Sequence, residues 1–211
     1  MGIVEKIKWN VVVVLLMCIL GSVKASAQND TTLYNDSLFQ ALIDMKQEGQ
    51  LLRGMIDSIR TNFGNDSEEL DSLWQVINYT DSMNTVQLRG IVLQYGWPGN
   101  SLVGSNGSRA AFLILQHSDM DSTIQEEFLP IITQAAKNGE CEWQYVAYLT
   151  DRILVFKKGE KQKYGTQLRF NEESQLWEPF PIEDPDNVDE RRKEIGLFPM
   201  EDYLKMYNKT K

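Results

Sequence analysis

The chain has 211 residues, a formal net charge of −9, one histidine and two cysteines. Its acidic balance excludes non-specific nucleic-acid binding, which needs clustered Lys and Arg to displace counterions, and it disfavours docking on anionic lipid. The two basic runs, residues 157–163 and 191–193, are short and are interrupted or flanked by acids.

Lys6 and Lys8, the apolar run 11–20 and the small-residue site Ala25-Ser26-Ala27 ahead of Gln28 predict a secretory signal peptide over residues 1–27. The run is short for a membrane span, so the mature chain is expected to have no stable span; a retained N-terminal anchor is the alternative. The expected location is exported, periplasmic or extracellular. Cleavage removes Lys6, Lys8 and Lys24 with Glu5, leaving a more acidic chain whose one cysteine, Cys141, has no intrachain partner. Such a thiol packs as a small hydrophobe, and its neighbours Glu140 and Glu142 make it a poor nucleophile.

Residues 28–92 read as an amphipathic helical region. Leu38, Leu42, Met45, Leu52, Ile56 and Ile59 recur at helical spacing within 33–63, a stripe offered to a protein partner or to a second copy in a homo-oligomer. A break at 62–66 precedes a second helix from Ser67, and Asp81-Ser82 is expected to cap a third. Gly96-Trp97-Pro98-Gly99 stops that helix. Residues 105–108 cap the next, 109–118, which is apolar on all sides and carries the single histidine, His117, at its end. Asp121-Ser122 caps a helix over 123–137, interrupted by Pro130 and closed by Asn138-Gly139. Residues 143–156 fit a helix or a strand. Residues 162–170 and 176–182 alternate about the turn 171–174 and read as a β-hairpin. A short helix over 188–195 closes on Gly196, and Pro199 opens the last helix through Tyr207. The fold class is therefore mainly α with a small antiparallel β-hairpin near the C-terminus (α+β): a core domain at 93–207 with an N-terminal helical extension.

His117 is the residue best suited to moving a proton near neutral pH. It stands at a helix C-terminus, which favours a cationic imidazole, with Asp119 and Asp121 following. No metal is expected there, because adjacent ligands at one helix end do not converge and no second His or Cys completes a set. The glycine-rich stretch 99–107 lacks the lysine of a phosphate loop, with Ser105 in its place, and no cofactor motif is present. Two further polar words stand in apolar surroundings: Asp151-Arg152, an acid and a base able to satisfy each other, and Tyr164-Gly165-Thr166-Gln167. Two arrangements remain open. In one, His117, Asp151, Arg152, Tyr164 and Gln167 line a catalytic cleft, Arg152 holding an anionic group, His117 moving a proton and Gln167 orienting substrate, with Gln116, Arg191 and Arg192 binding an anion or the substrate. In the other, these residues form a buried polar network that fixes the hairpin against a helix.

Over residues 93–203 the words Gly96-Trp97-Pro98, Ser101-Leu102-Val103-Gly104, Gln116-His117-Ser118-Asp119, Ala147-Tyr148-Leu149-Thr150-Asp151-Arg152, Tyr164-Gly165-Thr166-Gln167 and Val188-Asp189-Glu190-Arg191-Arg192 stand together. In them the chain resembles an uncharacterised bacterial family, a domain of unknown function. That resemblance implies an identity and no reaction. The triplets Asp36-Ser37-Leu38, Asp57-Ser58-Ile59, Asp71-Ser72-Leu73 and Asp81-Ser82-Met83 resemble O-glycosylation sites of Bacteroidetes envelope proteins. The absence of a complete catalytic signature favours an exported binding or structural module over a hydrolase-like or transferase-like enzyme.

Overall fold

A computed structural model describes residues 34–121 and 123–208. The expected signal peptide lies outside the described residues. Asn35 opens helix α1 (Asp36–Gly54) by accepting from the Leu38 amide. The chain continues through α2 (Ile56–Phe63) and α3 (Glu68–Tyr95), the latter capped by Ser67. Then come α4 (Asn100–Gln116), α5 (Ile124–Lys137) and α6 (Trp143–Arg152), which runs directly into a π-helical turn, Ile153–Lys158. The C-terminal part holds strands β1 (Leu168–Asn171) and β2 (Leu176–Pro179), a 3-10 turn (Pro185–Asn187), α7 (Val188–Glu194) and α8 (Met200–Asn208). The protein is mainly helical with one two-stranded antiparallel sheet, as its patterning predicts.

One hydrophobic core unites Leu38, Leu42 and Met45 of α1 and Leu88 and Val92 of α3 with Val103, Phe112 and Leu115 of α4, Phe128 and Ile132 of α5, and Leu149 of α6. The core thus spans both sides of residue 92. Leu38, Leu42 and Met45 of the α1 stripe are turned into this core, while Leu52 joins Leu73 and Ile77 of α3 in a second cluster against which Ile56 and Ile59 pack; of residues 34–63 the large apolar side chains left exposed are Tyr34, Leu51 and Phe63. Among the described residues no helix is long and apolar enough to cross a membrane.

Four local expectations are corrected. Asp81-Ser82 starts no helix: α3 is continuous, because the Asp81 carboxylate is taken by Arg53 of α1 at 2.6 Å and the Ser82 hydroxyl donates back to the Asn78 carbonyl. Residues 105–108 form the first turn of a helical segment and not the cap before it: α4 opens at Asn100, where Glu140 accepts from the Ser101 amide, and non-helical Gly104 (φ 68°, ψ 169°) divides it into a short first segment and the apolar one that follows. Pro130 lies inside α5 without ending it; Phe128, Ile132, Ala135 and Ala136 hold that helix to the core on both sides of the proline. The hairpin is shorter than its alternation suggests, pairing Leu168 with Pro179 through Asn171 with Leu176. Residues 163–166 are withheld from the ladder because the amides of Lys163, Tyr164 and Thr166 are spent on Asp151.

Candidate functional site

The structure divides the polar words between two networks. The first forms where α4 ends. His117 is its C-terminal cap, with its amide shared between the Leu113 and Ile114 carbonyls. Asp119 accepts from both Nε and Nη2 of Arg152 and from Nε2 of Gln125. On the other side stands the Arg53–Asp81 pair. Between this pair and His117 lies a cavity of about 10 Å³, lined by Met45, Gly49, Arg53, Asp81, Asn84 and His117. That is room for about one water and not for a substrate.

The electrostatics there oppose the expected cationic imidazole. Burial, then the charges of Arg53 and Arg152, push His117 down to about 4, with Asp119 offsetting them only in part. His117 is therefore neutral at physiological pH. Burial pushes the Asp119 carboxyl up, but Arg152 and Gln125 outweigh it and hold the group below its ordinary value.

The second network binds the C-terminal part to α6. Asp151 is fully buried, and it does not pair with Arg152. Its carboxylate accepts from the Lys163, Tyr164 and Thr166 amides at 2.8, 3.1 and 2.9 Å and from the Thr166 hydroxyl at 2.9 Å. Burial raises its pKa, and these four donors oppose the rise. Gly165 makes the loop possible: its φ is 69°, and a Cβ there would sit 2.5 Å from the Met200 sulfur. The Gln167 side chain donates to the Tyr148 carbonyl and to the Thr166 hydroxyl. Arg192, 1% exposed, donates to the Phe198 and Tyr164 carbonyls and lies 4.7 Å over the Tyr203 ring. Arg191 donates to the Lys163, Glu183 and Asp184 carbonyls and pairs with the Asp184 carboxylate. These two guanidiniums are spent on main chain and, for Arg191, on the Asp184 carboxylate as well.

His117, Gln116 and Arg152 thus belong to one region, and Asp151, Tyr164, Gln167, Arg191 and Arg192 to the other. Three members of the second network were not among the site residues expected from the sequence: Gln162, which accepts from the Gln167 amide while donating to the Gln167 and Phe180 carbonyls; Thr166, which stood in a polar word without a role; and Tyr203, which donates to the Thr166 carbonyl. Cys141 is buried, and burial followed by the charges of Glu142 and Glu140 pushes its thiol up to about 12.

Sequence reasoning also missed a groove. α1 and α4 run side by side, and Phe39, Ile43, Lys46 and Gln50 of α1 face Asn106, Arg109 and Leu113 of α4 across a space of about 420 Å³. The positions recur at helical spacing on both sides, so each helix contributes one stripe. Lys46, Gln50 and Leu113 also line the small cavity beside His117, so the groove leads towards it. Among the described residues neither Lys46 nor Arg109 has an ion-pair partner, although most of the arginines do. No sequence signal could bring two stripes some sixty residues apart into one site.

For metal binding, Asp119 and Asp121 are already engaged: Asp119 by Arg152 and Gln125, Asp121 by the Thr123 and Ile124 amides and by Arg89. Among the described residues no three His, Cys, Asp or Glu side chains are placed to share an ion.

No curated protein and no solved structure matches the chain. A family model matches residues 36–211, so the match takes in α1 to α3 as well as the stretch carrying the sequence words. The chain belongs to DUF6624, a family of unknown function.

Proposed function

We propose that the protein is an exported binding module of the cell envelope, and that its site is the groove between α1 and α4. The ligand is a small soluble amphipathic anion: a medium-length apolar chain or ring bearing one carboxylate, sulfate or phosphate. The observation that carries this reading is the pair Lys46 and Arg109, two cations without ion-pair partners beside an apolar floor of Phe39, Ile43 and Leu113, in a chain of net charge −9. A concave space of this volume with an apolar lining and a few convergent polar groups is what small ligands select. Gln50 and Asn106 add neutral donors at the rim. Export rests on the basic start, apolar run and small-residue cleavage site of residues 1–27.

The hydrolase-like or transferase-like alternative needs His117, Asp151, Arg152, Tyr164 and Gln167 to meet one substrate. Asp151 is sealed and holds four donors, and Arg152 is held by Asp119, so binding is the better-supported reading.

Equilibrium dialysis of the mature chain with decanoate, beside its uncharged counterpart decanamide, tests the site. Saturable one-to-one binding of decanoate is expected, weakened about tenfold or more by the double substitution Lys46→Met/Arg109→Met. Equal binding of the amide, or unaltered binding by the double variant, sinks the reading.

A further inference from the structure

The outer face of α3 carries a row of exposed apolar side chains. Tyr79, Val86 and Leu93 are 54, 66 and 78% exposed and stand seven residues apart. Half-buried Val76 and Met83 and exposed Gly90 complete the series 76, 79, 83, 86, 90, 93, which alternates steps of three and four. That is the spacing of a coiled-coil seam; Val76 at its end also packs on the cluster of Leu52, Leu73 and Ile77, and among the described residues no element covers Tyr79, Val86 or Leu93.

Two properties of the seam identify what does. From residue 75 to 95 the only charged residues are Asp81, buried against Arg53, and Arg89, paired with Asp121 and Glu127. The polar residues beside the seam are Gln75, Asn78, Ser82, Gln87 and Gln94, all neutral. A chain of net charge −9 repels its own copies over most of its surface, but not here. The second property is Gly90. A mid-helix glycine costs about 1 kcal/mol relative to alanine. Among the described residues nothing requires it, because a Cβ at Gly90 would meet no atom within 4 Å.

We infer that α3 is a self-association seam, on which two copies of this chain pair antiparallel with Tyr79 of each lying over Gly90 of the other. In this register Met83 packs on the partner's Val86, and Leu93 on the partner's Val76. The large ring fills the space that glycine leaves, so the helices approach closely at both ends of the seam. The antiparallel sense also places the acidic first turn, Glu68, Glu69 and Asp71, beyond the end of the partner's α3, whereas a parallel pair would set the two acidic turns side by side. A seam one helix wide falls short of the ~800 Å² per partner of a standard interface, so the dimer is a reversible, concentration-dependent one.

Sedimentation velocity of the mature chain over a concentration series tests this directly, with thermal melts as the folding control. A monomer–dimer equilibrium is expected. Val86→Glu, at an exposed position, and Met83→Lys, at a half-buried one, should each weaken it about tenfold or more. An equimolar mixture of the two variants should recover the dimer, because this register sets the opposite charges in one layer and leaves the second Met–Val layer intact. Gly90→Ala separates the seam from mere helix propensity: it should raise the thermal midpoint while weakening the dimer. A chain monomeric at every concentration, a dimer indifferent to Val86→Glu, a mixture that stays monomeric, or a Gly90→Ala variant that dimerises as well as the parent each overturns the proposal.

Discussion

Arg152 and Asp119, 33 residues apart, form a two-pronged ion pair that ties the end of α6 to the turn after α4, with His117 beside it. Burial is the main reason the only histidine is uncharged; Arg53 and then Arg152 add to it, and the Asp119 half of the pair opposes it. Its imidazole lies within the influence of two guanidiniums, Arg53 and Arg152, and is largely removed from water.

The first prediction concerns the His117 titration. Its NMR signal should titrate at about 4, well below the ordinary 6.5. Arg152→Met should move the value up. Gln167→Ala should leave it in place, because Gln167 belongs to the separate network around Asp151 and Thr166. An unperturbed titration near 6.5 would contradict the burial described above.

Stability follows with a definite sign. The folded pKa lies below the unfolded one, so the unfolded chain binds the proton more readily between the two values. The contribution from neutral His117 is complete above about 6.5 and is lost as pH falls towards about 4. Urea unfolding at pH 7 and pH 4.5 should therefore show a larger acid loss in the parent than in His117→Asn, by on the order of 2 kcal/mol.

Asp151→Asn should destabilise the protein by about 2–4 kcal/mol. An amide can supply only one acceptor oxygen where the carboxylate supplies two, and its NH2 group would face the amides of residues 163–166. Chemical denaturation reads the loss, and increased amide exchange at residues 163–166 would localise it. A substitution without effect would mean that the loop is held by Arg191 and Arg192 alone.

Gly165→Ala should lower the thermal midpoint for two separable reasons. The left-handed backbone costs an L-residue about 1–2 kcal/mol, and the new methyl would strike the Met200 sulfur. Adding Met200→Ala should relieve only the second. A double variant melting with the parent would show that backbone strain contributes nothing.

Cys141 should be inert to iodoacetamide at pH 8 in the folded protein and react fully in denaturant, since its thiol is buried and pushed up to about 12. Native labelling at the rate of a free thiol would show that the loop after α5 opens readily.

The hairpin and the helices were legible in the sequence wherever a local rule decides the outcome. Apolar residues of α1 recur at helical spacing, Asn138-Gly139 closes α5, and the alternation about residues 171–174 gives β1 and β2. The single long α3 was not legible. Asp81-Ser82 has the composition of a cap, and only Arg53, 28 residues earlier, takes Asp81 out of that role. The site words show the same division. His117, Asp151, Arg152, Tyr164, Gln167, Arg191 and Arg192 stand out as polar residues in apolar stretches, but adjacency misleads: Asp151 and Arg152 occupy successive positions of α6, about 100° apart around its axis, and so serve different networks.

By itself the sequence determined the class of fold, the acidic balance and which polar residues stand in apolar stretches, because periodicity, charge and turn chemistry act over a few residues. Only the tertiary structure decided which polar groups meet, that Lys46 and Arg109 share a groove, and that the outer face of α3 is left bare. Those outcomes depend on how helices far apart in the chain pack together, and no local pattern records that packing.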